Sequence, residues 1–411
     1  MMLKRILFLF IFLGLTLPSW AASQKDTIYL GMSAAFTGPN AVLGIELYRG
    51  SFAYLEKINQ EQKGLYGKKI KILTYDDKYE PELTLQNTFE LVDEKKIIWL
   101  FDYVGTPTVN RILPYLSIDN QHGAFLFFPL TGGLSLRKDP YKRYVLNLRP
   151  SYTREIQALL TRFLEIGKRR IGIFYQLDAF GRSGWQSARD FLKQKGLEIV
   201  ADASYIRGCG LKDSYRQQVE VFKKNKVDVI LSIASTSAAT GFIRDLRDAQ
   251  IKVPVANLSF VDAQAMFLNL SKLENENNRS YSFGLVNSVV VPFFELKHYK
   301  IYEEYLATLL KYKADIKKYA PADYNHPFYG PISFEGFLNA KLIVEILKRL
   351  GPSLDRSKLE EVIYNPKGFE IGLEDPVVFT RDNQGALKEV YFATIKDGML
   401  HPLKDFRTLF Y

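Results

Sequence analysis

Residues 97–116 read IIWLFDYVGTPTVNRILPYL. The first five are apolar, branched or aromatic, a run of the length and kind expected for a strand buried on both faces. DYVGTPT follows as a turn, with Thr106 the expected helix cap and Pro107 the expected first helical residue. The same strand–turn–helix unit recurs in both directions. Before it come TIYLGMSA at 27–34, a turn at Gly38-Pro39-Asn40 and a helix from about 41 to 62. ILTYDD is then a strand ending in Asp76-Asp77, and Pro81 opens a helix expected over 81–95. After it, AFLFF at 124–128 is a fourth strand. Beyond residue 150 the alternation resumes, with helices expected at 151–166, 184–195 and 238–250 and strands at 171–176, 227–233 and 253–259. Short apolar strands alternating with helices predict parallel sheets covered on both faces. Length alone, 411 residues, suggests two or three domains. The break near Arg149-Pro150 divides the pattern into two similar α/β lobes, with no short-period repeat.

In open parallel sheets, ligands bind at the carboxyl ends of the strands, where loops lead into helix N-termini. Those loops here are DYVGTPT, PLTGG around Thr131, QLDAFGRSG around Phe180, ASTS around Ser235, and Leu258-Ser259-Phe260. Hydroxyls and free backbone amides at helix starts suit a small carboxylate or another polar group. Tyr103, Tyr175, Phe180 and Phe260 are candidate apolar walls. A single Ser or Thr at a helix start is ordinarily a cap and nothing more. The convergence of several such loops is what argues for a site.

Composition narrows the chemistry. Cys209 is the one cysteine, so an intrachain disulfide and multi-cysteine metal sites are excluded. His122, His298, His326 and His401 are far apart, and Asp323 with His326 is too loosely spaced for a metal site. The motifs G-x-x-x-x-G-K-[ST], H-E-x-x-H, G-x-S-x-G and a strand-to-helix G-x-G-x-x-G are all missing. Asp76-Asp77 could serve acid–base chemistry, but strand-end aspartates more often tether a neighbouring loop. The net charge of +10 comes from scattered basic runs such as Lys168-Arg169-Arg170, which read as a solvated surface rather than a nucleic-acid face. The N-terminus MMLKRILFLFIFLGLTLPSWAAS has a basic start, an apolar stretch, Pro18 and a small-x-small end at Ser19-Trp20-Ala21. It reads as a cleavable secretory signal peptide over 1–21.

The stretch IYLGMSAAFTGPNAVLGIELYRGSFAYLEKIN resembles the opening of the type I periplasmic solute-binding proteins of the leucine/isoleucine/valine-binding type. GLYGKKIKILTYDDKYEPELT, VGTPTVNRILPYL, PLTGGLSLR, RRIGIFYQLDAFGRSGWQSARDFLKQKGLEIV and SFEGFLNAKLIVEILKRLGPSLDRSKLEEVI continue the likeness in order. It implies two Rossmann-like α/β lobes joined by crossover hinge strands, with a ligand cleft between them. One lobe would comprise 26–149 and 290–385, the other 150–289 and 386–411, with crossings near Pro150, Val290 and Ala386. It further implies a periplasmic monomer that is not an enzyme and takes no cofactor. Such a protein delivers a small-molecule ligand to an ABC permease and ATPase complex. A sensing module of the same fold, signalling to a membrane kinase or cyclase, is the alternative. A secreted hydrolase or transferase finds no nucleophile–base arrangement in the sequence.

By position, the resemblance assigns ligand contacts to Thr106, to Thr131 and to the carbonyl near Leu130. Phe180 becomes a covering aromatic and Tyr329 a further cleft aromatic. The full candidate set is Tyr103, Gly105, Thr106, Leu130, Thr131, Gly132, Tyr175, Asp178, Phe180, Ser235, Ser259, Phe260 and Tyr329. Four positions depart from the amino-acid binders. Phe260 stands where an acidic residue would neutralise the ligand ammonium, Leu43 replaces an aromatic, and Ser235 and Thr236 replace tyrosines. An α-amino acid ligand would need Asp102, Asp178 or Asp262 to supply the missing charge. A neutral amide, a carboxylate or a larger, partly aromatic solute is equally compatible.

Overall fold

In the computed structural model, the described residues are 26–117, 123–293, 299–321, 324–327, 329–382, 385–396 and 399–410. The leader expected over 1–21, together with His122, His298 and Asp323, lies outside them. The first half runs β1 (Thr27–Ala34), α1 (Ala41–Glu61), β2 (Lys69–Asp76), α2 (Pro81–Phe89), β3 (Trp99–Phe101), α3 (Thr106–Ser117), β4 (Phe125–Phe127) and β5 (Val145–Leu146). These strands form one parallel sheet in the order β2-β1-β3-β4-β5. The second half continues with α4 (Tyr152–Glu165), β6 (Ile171–Gln176), α5 (Ala179–Gln194), β7 (Ile199–Tyr205), α6 (Arg216–Lys224) and β8 (Val229–Ile233). Next come α7 (Thr236–Asp248), β9 (Val255–Asn257), α8 (Ala263–Asn277) and β10 (Leu285–Val289). After these follow α9 (Lys300–Lys311), α10 (Pro331–Leu350), α11 (Leu359–Ile363), β11 (Tyr391–Lys396) and β12 (Met399–Pro402). The second sheet is ordered β12-β11-β10-β9-β8-β6-β7, parallel except for the antiparallel β11–β12 hairpin at one edge.

The chain passes between the sheets more than once. After β10 it returns to the first sheet, where α10 lies along α1. That contact is close because it is glycine on glycine: a Cβ on Gly50 would sit 1.8 Å from the Ser333 carbonyl oxygen, and one on Gly336 would sit 2.2 Å from that of Leu47. Ala there would force the two helices apart. The chain then runs back beside the first crossing, where the Ala386 and Leu387 amides donate to the Asn147 and Leu148 carbonyls at 3.2 and 2.9 Å. It ends as the hairpin on the second sheet.

Several boundaries differ from those expected. Thr106 is the first residue of α3 and not its cap. The helix expected over 81–95 is regular only to Phe89 and continues as a wider π-turn over Glu90–Glu94. The helix expected from 184 begins at Ala179, because Asp178 caps it by accepting from the Phe180 and Gly181 amides. The helix expected from 238 begins at Thr236.

Candidate functional site

The carboxyl ends of both parallel sheets face one seam, and the expected ligand loops line it. Behind β3 the backbone takes the left-handed conformation twice, at Asp102 (φ 55°) and Gly105 (φ 104°). Asp102 is held there because its buried carboxylate accepts from Ser51 and from the Asn339 amide at 2.7 Å, fixing the turn to α1 and α10. Burial pushes its carboxyl well above the usual range, against those two hydrogen bonds. Gly105 brings the loop against another ring: a Cβ there would lie 2.3 Å from Cε2 of Tyr79. Leu130 pairs with Val104 as a short parallel bridge, aligning the two first-lobe loops.

Thr106 and Thr131 meet across that bridge, hydroxyl to hydroxyl at 2.7 Å, and the Gly133 amide donates to Thr131 Oγ1 at 3.1 Å. Both threonines are buried. Gly132 packs under Tyr152, whose ring centroid lies 5.0 Å from that of Phe180. Phe180 in turn sits 4.8 Å from Phe260, and Phe260 sits 5.8 Å from Tyr79. Tyr79, Tyr152, Phe180 and Phe260 therefore form a continuous ring cluster between the lobes, each side chain buried. Such pairs contribute about 0.5–1.5 kcal/mol each beyond their area. Tyr79 and Tyr152 belong to this cluster but were not among the expected ligand residues. The one signal for Tyr79 was its place in the strand-end stretch DDKYEP.

Polar links run out from the cluster. The Gln176 amide donates to the Tyr79 hydroxyl at 3.4 Å, the Tyr205 hydroxyl donates to Gln176 Oε1 at 3.0 Å, and the Ser235 amide donates to the Tyr205 hydroxyl at 2.9 Å. Ser235 thus joins the seam through its backbone. Asp178 accepts from the Phe180 and Gly181 amides at 2.9 and 3.4 Å and from Gln176 at 2.6 Å. The Ser259 amide donates to the buried Glu155 at 2.9 Å. The first lobe reaches the second directly as well: Arg207 pairs with Glu80 at 2.8 Å, and the Ser237 hydroxyl donates to the Pro39 carbonyl at 2.7 Å. The lobes are closed on one another.

Three expected residues are not members of the ring cluster. The Tyr103 hydroxyl lies 3.1 Å from Thr88 Oγ1, inside the first lobe's own core beneath α2. Tyr175 is half-buried on the face of β6 that carries Ile171 and Ile173, packed against the larger apolar core to which the four rings belong. Tyr329 is half-buried against the α1–α10 core rather than in the ring cluster.

A polar groove of about 380 Å³ continues the seam outward from Thr106, lined by Asn110 and Ser135 of the first lobe and by Thr153, Ser183 and Gln186 of the second. A larger groove of about 540 Å³ is lined by the crossover residues Val290, Ala386 and Leu387 and by 373–378, and by none of the candidate ligand residues. The candidate site is therefore the seam.

The other chemistry-bearing groups are accounted for locally. Asp76 ties down the β1 loop through the Phe36 amide at 2.9 Å and the Thr37 hydroxyl, as a loop tether does. Asp77 accepts from Ser33, Thr84 and the Tyr79 amide at 2.9, 3.1 and 2.9 Å. Burial, with Asp213 adding to it, pushes the Cys209 thiol above its ordinary value, which disfavours the nucleophilic thiolate. Among the described residues, no group of three or more His, Cys, Asp or Glu is arranged to hold a metal ion. No described helix is long and apolar enough to cross a membrane.

Two α/β lobes with their strand ends closed over a shared seam define a two-lobed binding protein. The chain belongs to the periplasmic binding protein family, matching it over residues 27–399, and within it to the leucine/isoleucine/valine-binding type. It is 24% identical over 242 residues to the Leu/Ile/Val-binding protein homolog 7 of Brucella suis biovar 1, a match covering 56% of this chain and 58% of that one. The chain thus spans somewhat over half the length of the curated relatives it matches. Among solved structures it resembles a possible leucine/isoleucine/valine-binding protein from Rhodopirellula baltica, with a TM-score of 0.80 at 23% identity, covering 94% of this chain and 98% of the other. A branched chain amino acid ABC transporter from Thermus thermophilus with bound valine gives 0.76 at 18% identity, over 93% and 98%. A fatty acid ABC transporter substrate-binding protein from Thermomonospora curvata gives 0.75 at 19% identity, over 92% of each chain.

Proposed function

We propose that the protein is a periplasmic, monomeric, non-enzymatic receptor that closes its two lobes around a small polar organic solute and delivers it to an ABC permease and ATPase complex. In this reading one lobe comprises 26–149 with 290–385 and the other 150–289 with 386–411, and residues 1–21 direct export. The observation that carries it is the Thr106–Thr131 hydroxyl pair beside Gly132, which packs under Tyr152 of the ring cluster that Phe180 and Phe260 continue. Ligand contacts to both lobes shift an open–closed balance, which is hinge closure.

The solute class follows from charge. The three carboxylates that could face an ammonium are all engaged: Asp102 by Ser51 and Asn339, Asp178 by the start of α5 and Gln176, Asp262 by His326 and the Ala265 amide. With Phe260 at the remaining position, an amide, a carboxylate or a partly aromatic acid fits better than a free amino acid. The structural neighbours, one with bound valine and one named for fatty acids, support a fold that accepts varied solutes. A thermal-shift screen with amino acids, amides, ureas, fatty acids and aromatic acids tests this, because a ligand raises the melting point by mass action. Amides or acids should shift it and free amino acids should not. A shift confined to amino acids would overturn the solute class, and no shift with any solute would overturn the receptor.

A further inference from the structure

Outside the ring cluster, one buried group of ionisable side chains joins the lobes. Glu46 lies on α1, Asp262 caps α8 in the second half, and His326 stands between them, each side chain 0–2% exposed. His326 Nε2 lies 3.1 Å from Asp262 Oδ1, and Nδ1 lies 2.7 Å from the Pro327 carbonyl and 3.3 Å from Glu46 Oε2. A carbonyl oxygen only accepts, so Nδ1 carries a proton. Asp262 Oδ1 also accepts from the Ala265 amide at 2.8 Å, as an ionised cap does, and an ionised Asp262 accepts from a protonated Nε2. The geometry fits the imidazolium.

The surrounding groups fit that charge. Arg49 of α1 lies 3.3 Å from Glu46 and donates to the Pro327 carbonyl at 3.2 Å. The Tyr324 hydroxyl donates to Glu46 at 2.6 Å, and its ring stacks on the imidazole at 6.3 Å. With His326 charged, two cations meet two carboxylates. With His326 neutral, a carboxylate is left without its counter-charge in a site closed to water, which is costly.

We propose that His326 is a positioning residue for lobe closure: as an imidazolium it bridges Glu46 of the first lobe to Asp262 of the second, and loss of its proton releases the bridge, so the protein opens as pH rises. The inference rests on the two-lobed receptor reading. Burial opposes the charge on His326, but Asp262 and Glu46 outweigh it and push the imidazole up to about 9 from an ordinary 6.5. Burial also pushes at Asp262, but His326 holds that carboxyl below its usual value. Glu46 is raised by burial, with His326, Arg49 and Tyr324 opposing. A group whose value is raised in one state favours that state fully below its free value and ceases to favour it as pH passes the raised one. Closure is therefore supported in full below about 6.5 and loses this support as pH rises through about 9.

Small-angle X-ray scattering of the solute-free protein at pH 6 to 10 reads closure without requiring a known ligand. The wild type should be compact at the acid end and expand with a midpoint between about 6.5 and about 9, the closed-to-open ratio falling roughly three-hundredfold over that span. His326→Gln should lose that midpoint, giving one envelope across the range. If that variant proves unfolded by circular dichroism, Glu46→Gln, which keeps the bridge's shape, should move the midpoint to lower pH. Expansion with an unchanged midpoint in these variants, or no expansion of the wild type, would overturn the proposal. A solute from the thermal-shift screen that binds with equal affinity at both ends of the range would overturn it too, while leaving the receptor reading in place. Wild-type expansion that the variants alter, with no solute found, would support the bridge and count against the receptor.

Discussion

The hydroxyls of Thr106 and Thr131 lie 2.7 Å apart in the floor of the seam, one on the first turn of α3 and the other in the loop after β4. Each satisfies the other while the lobes are closed, so a ligand reaching either must exchange with that bond. Thr106→Ala and Thr131→Ala should each destabilise by about 1–2 kcal/mol, because each takes a hydrogen-bond partner from the other's buried hydroxyl. Thr131→Ala should cost more, since it also strands the Gly133 amide. The double variant should cost less than the sum, a coupling of about 0.5–1 kcal/mol or more. Urea denaturation of the four proteins measures it, and strict additivity would show that the hydroxyl pair does not exist in solution. In the screen described above, the double variant should also lose most of its solute-induced stabilisation.

Arg149, at the first crossing, forms a two-pronged pair with Glu335 on α10, Nε to Oε1 and Nη2 to Oε2 both at 2.9 Å, with side chains 1% and 2% exposed. Removing one partner buries an uncompensated charge. Glu335→Ala should therefore cost about 3–5 kcal/mol, and Arg149→Met with Glu335→Leu should recover most of it. Chemical denaturation gives both values. A double variant no better than the single would mean that the pair also sets the path of the crossover strand.

The strands and the loops after them were readable because their signals are local: period, apolar runs, and turn residues within a few positions. IIWLF, IGIFYQ and VDVILSI each contain a strand close to the expected span. The helix α5 starts five residues before the expected position because Asp178 caps it, and Gly181 and Gly184 lie within it without breaking it. The seam was half legible. Thr106 and Thr131 follow strand ends and meet, as do Phe180 and Phe260, whereas Tyr103 shares such a loop but turns inward to Thr88. Nothing local tells which way a side chain in a turn will face. The contacts of Tyr79 with Phe260 and of Glu46 with His326 were out of reach for another reason. Each joins residues nearly two hundred or more positions apart, the first brought together by two lobes meeting and the second by the return of the chain to the first sheet.

Tyr79 crosses the seam with a left-handed backbone (φ 64°), its ring on Gly105 and its hydroxyl 3.4 Å from the Gln176 amide. That hydrogen bond is long, and the ring contributes mainly by packing. Tyr79→Phe should change stability by under about 1 kcal/mol, while Tyr79→Ala should cost about 3 kcal/mol or more through the cavity it opens. Thermal or urea unfolding separates the two. A large loss in Tyr79→Phe would instead place the weight on the hydroxyl and its link through Gln176 to Tyr205.

Asp77 makes stability depend on pH near neutrality. Burial pushes its carboxyl from 3.8 up to about 7, against the hydrogen bonds from the Tyr79 amide, Ser33 and Thr84 and with Asp76 adding to the rise. The folded state therefore holds a proton that the unfolded state has released. This contribution is fully present below about 3.8 and is lost as pH rises through about 7. Over that span the loss should approach roughly 4 kcal/mol at most. Asp77→Asn keeps the side chain's shape and removes the titration, so its urea midpoint should fall less than the wild type's between pH 5 and pH 8. Equal slopes in the two proteins would show that Asp77 is ionised in the fold throughout, its three hydrogen bonds sufficing to hold the charge.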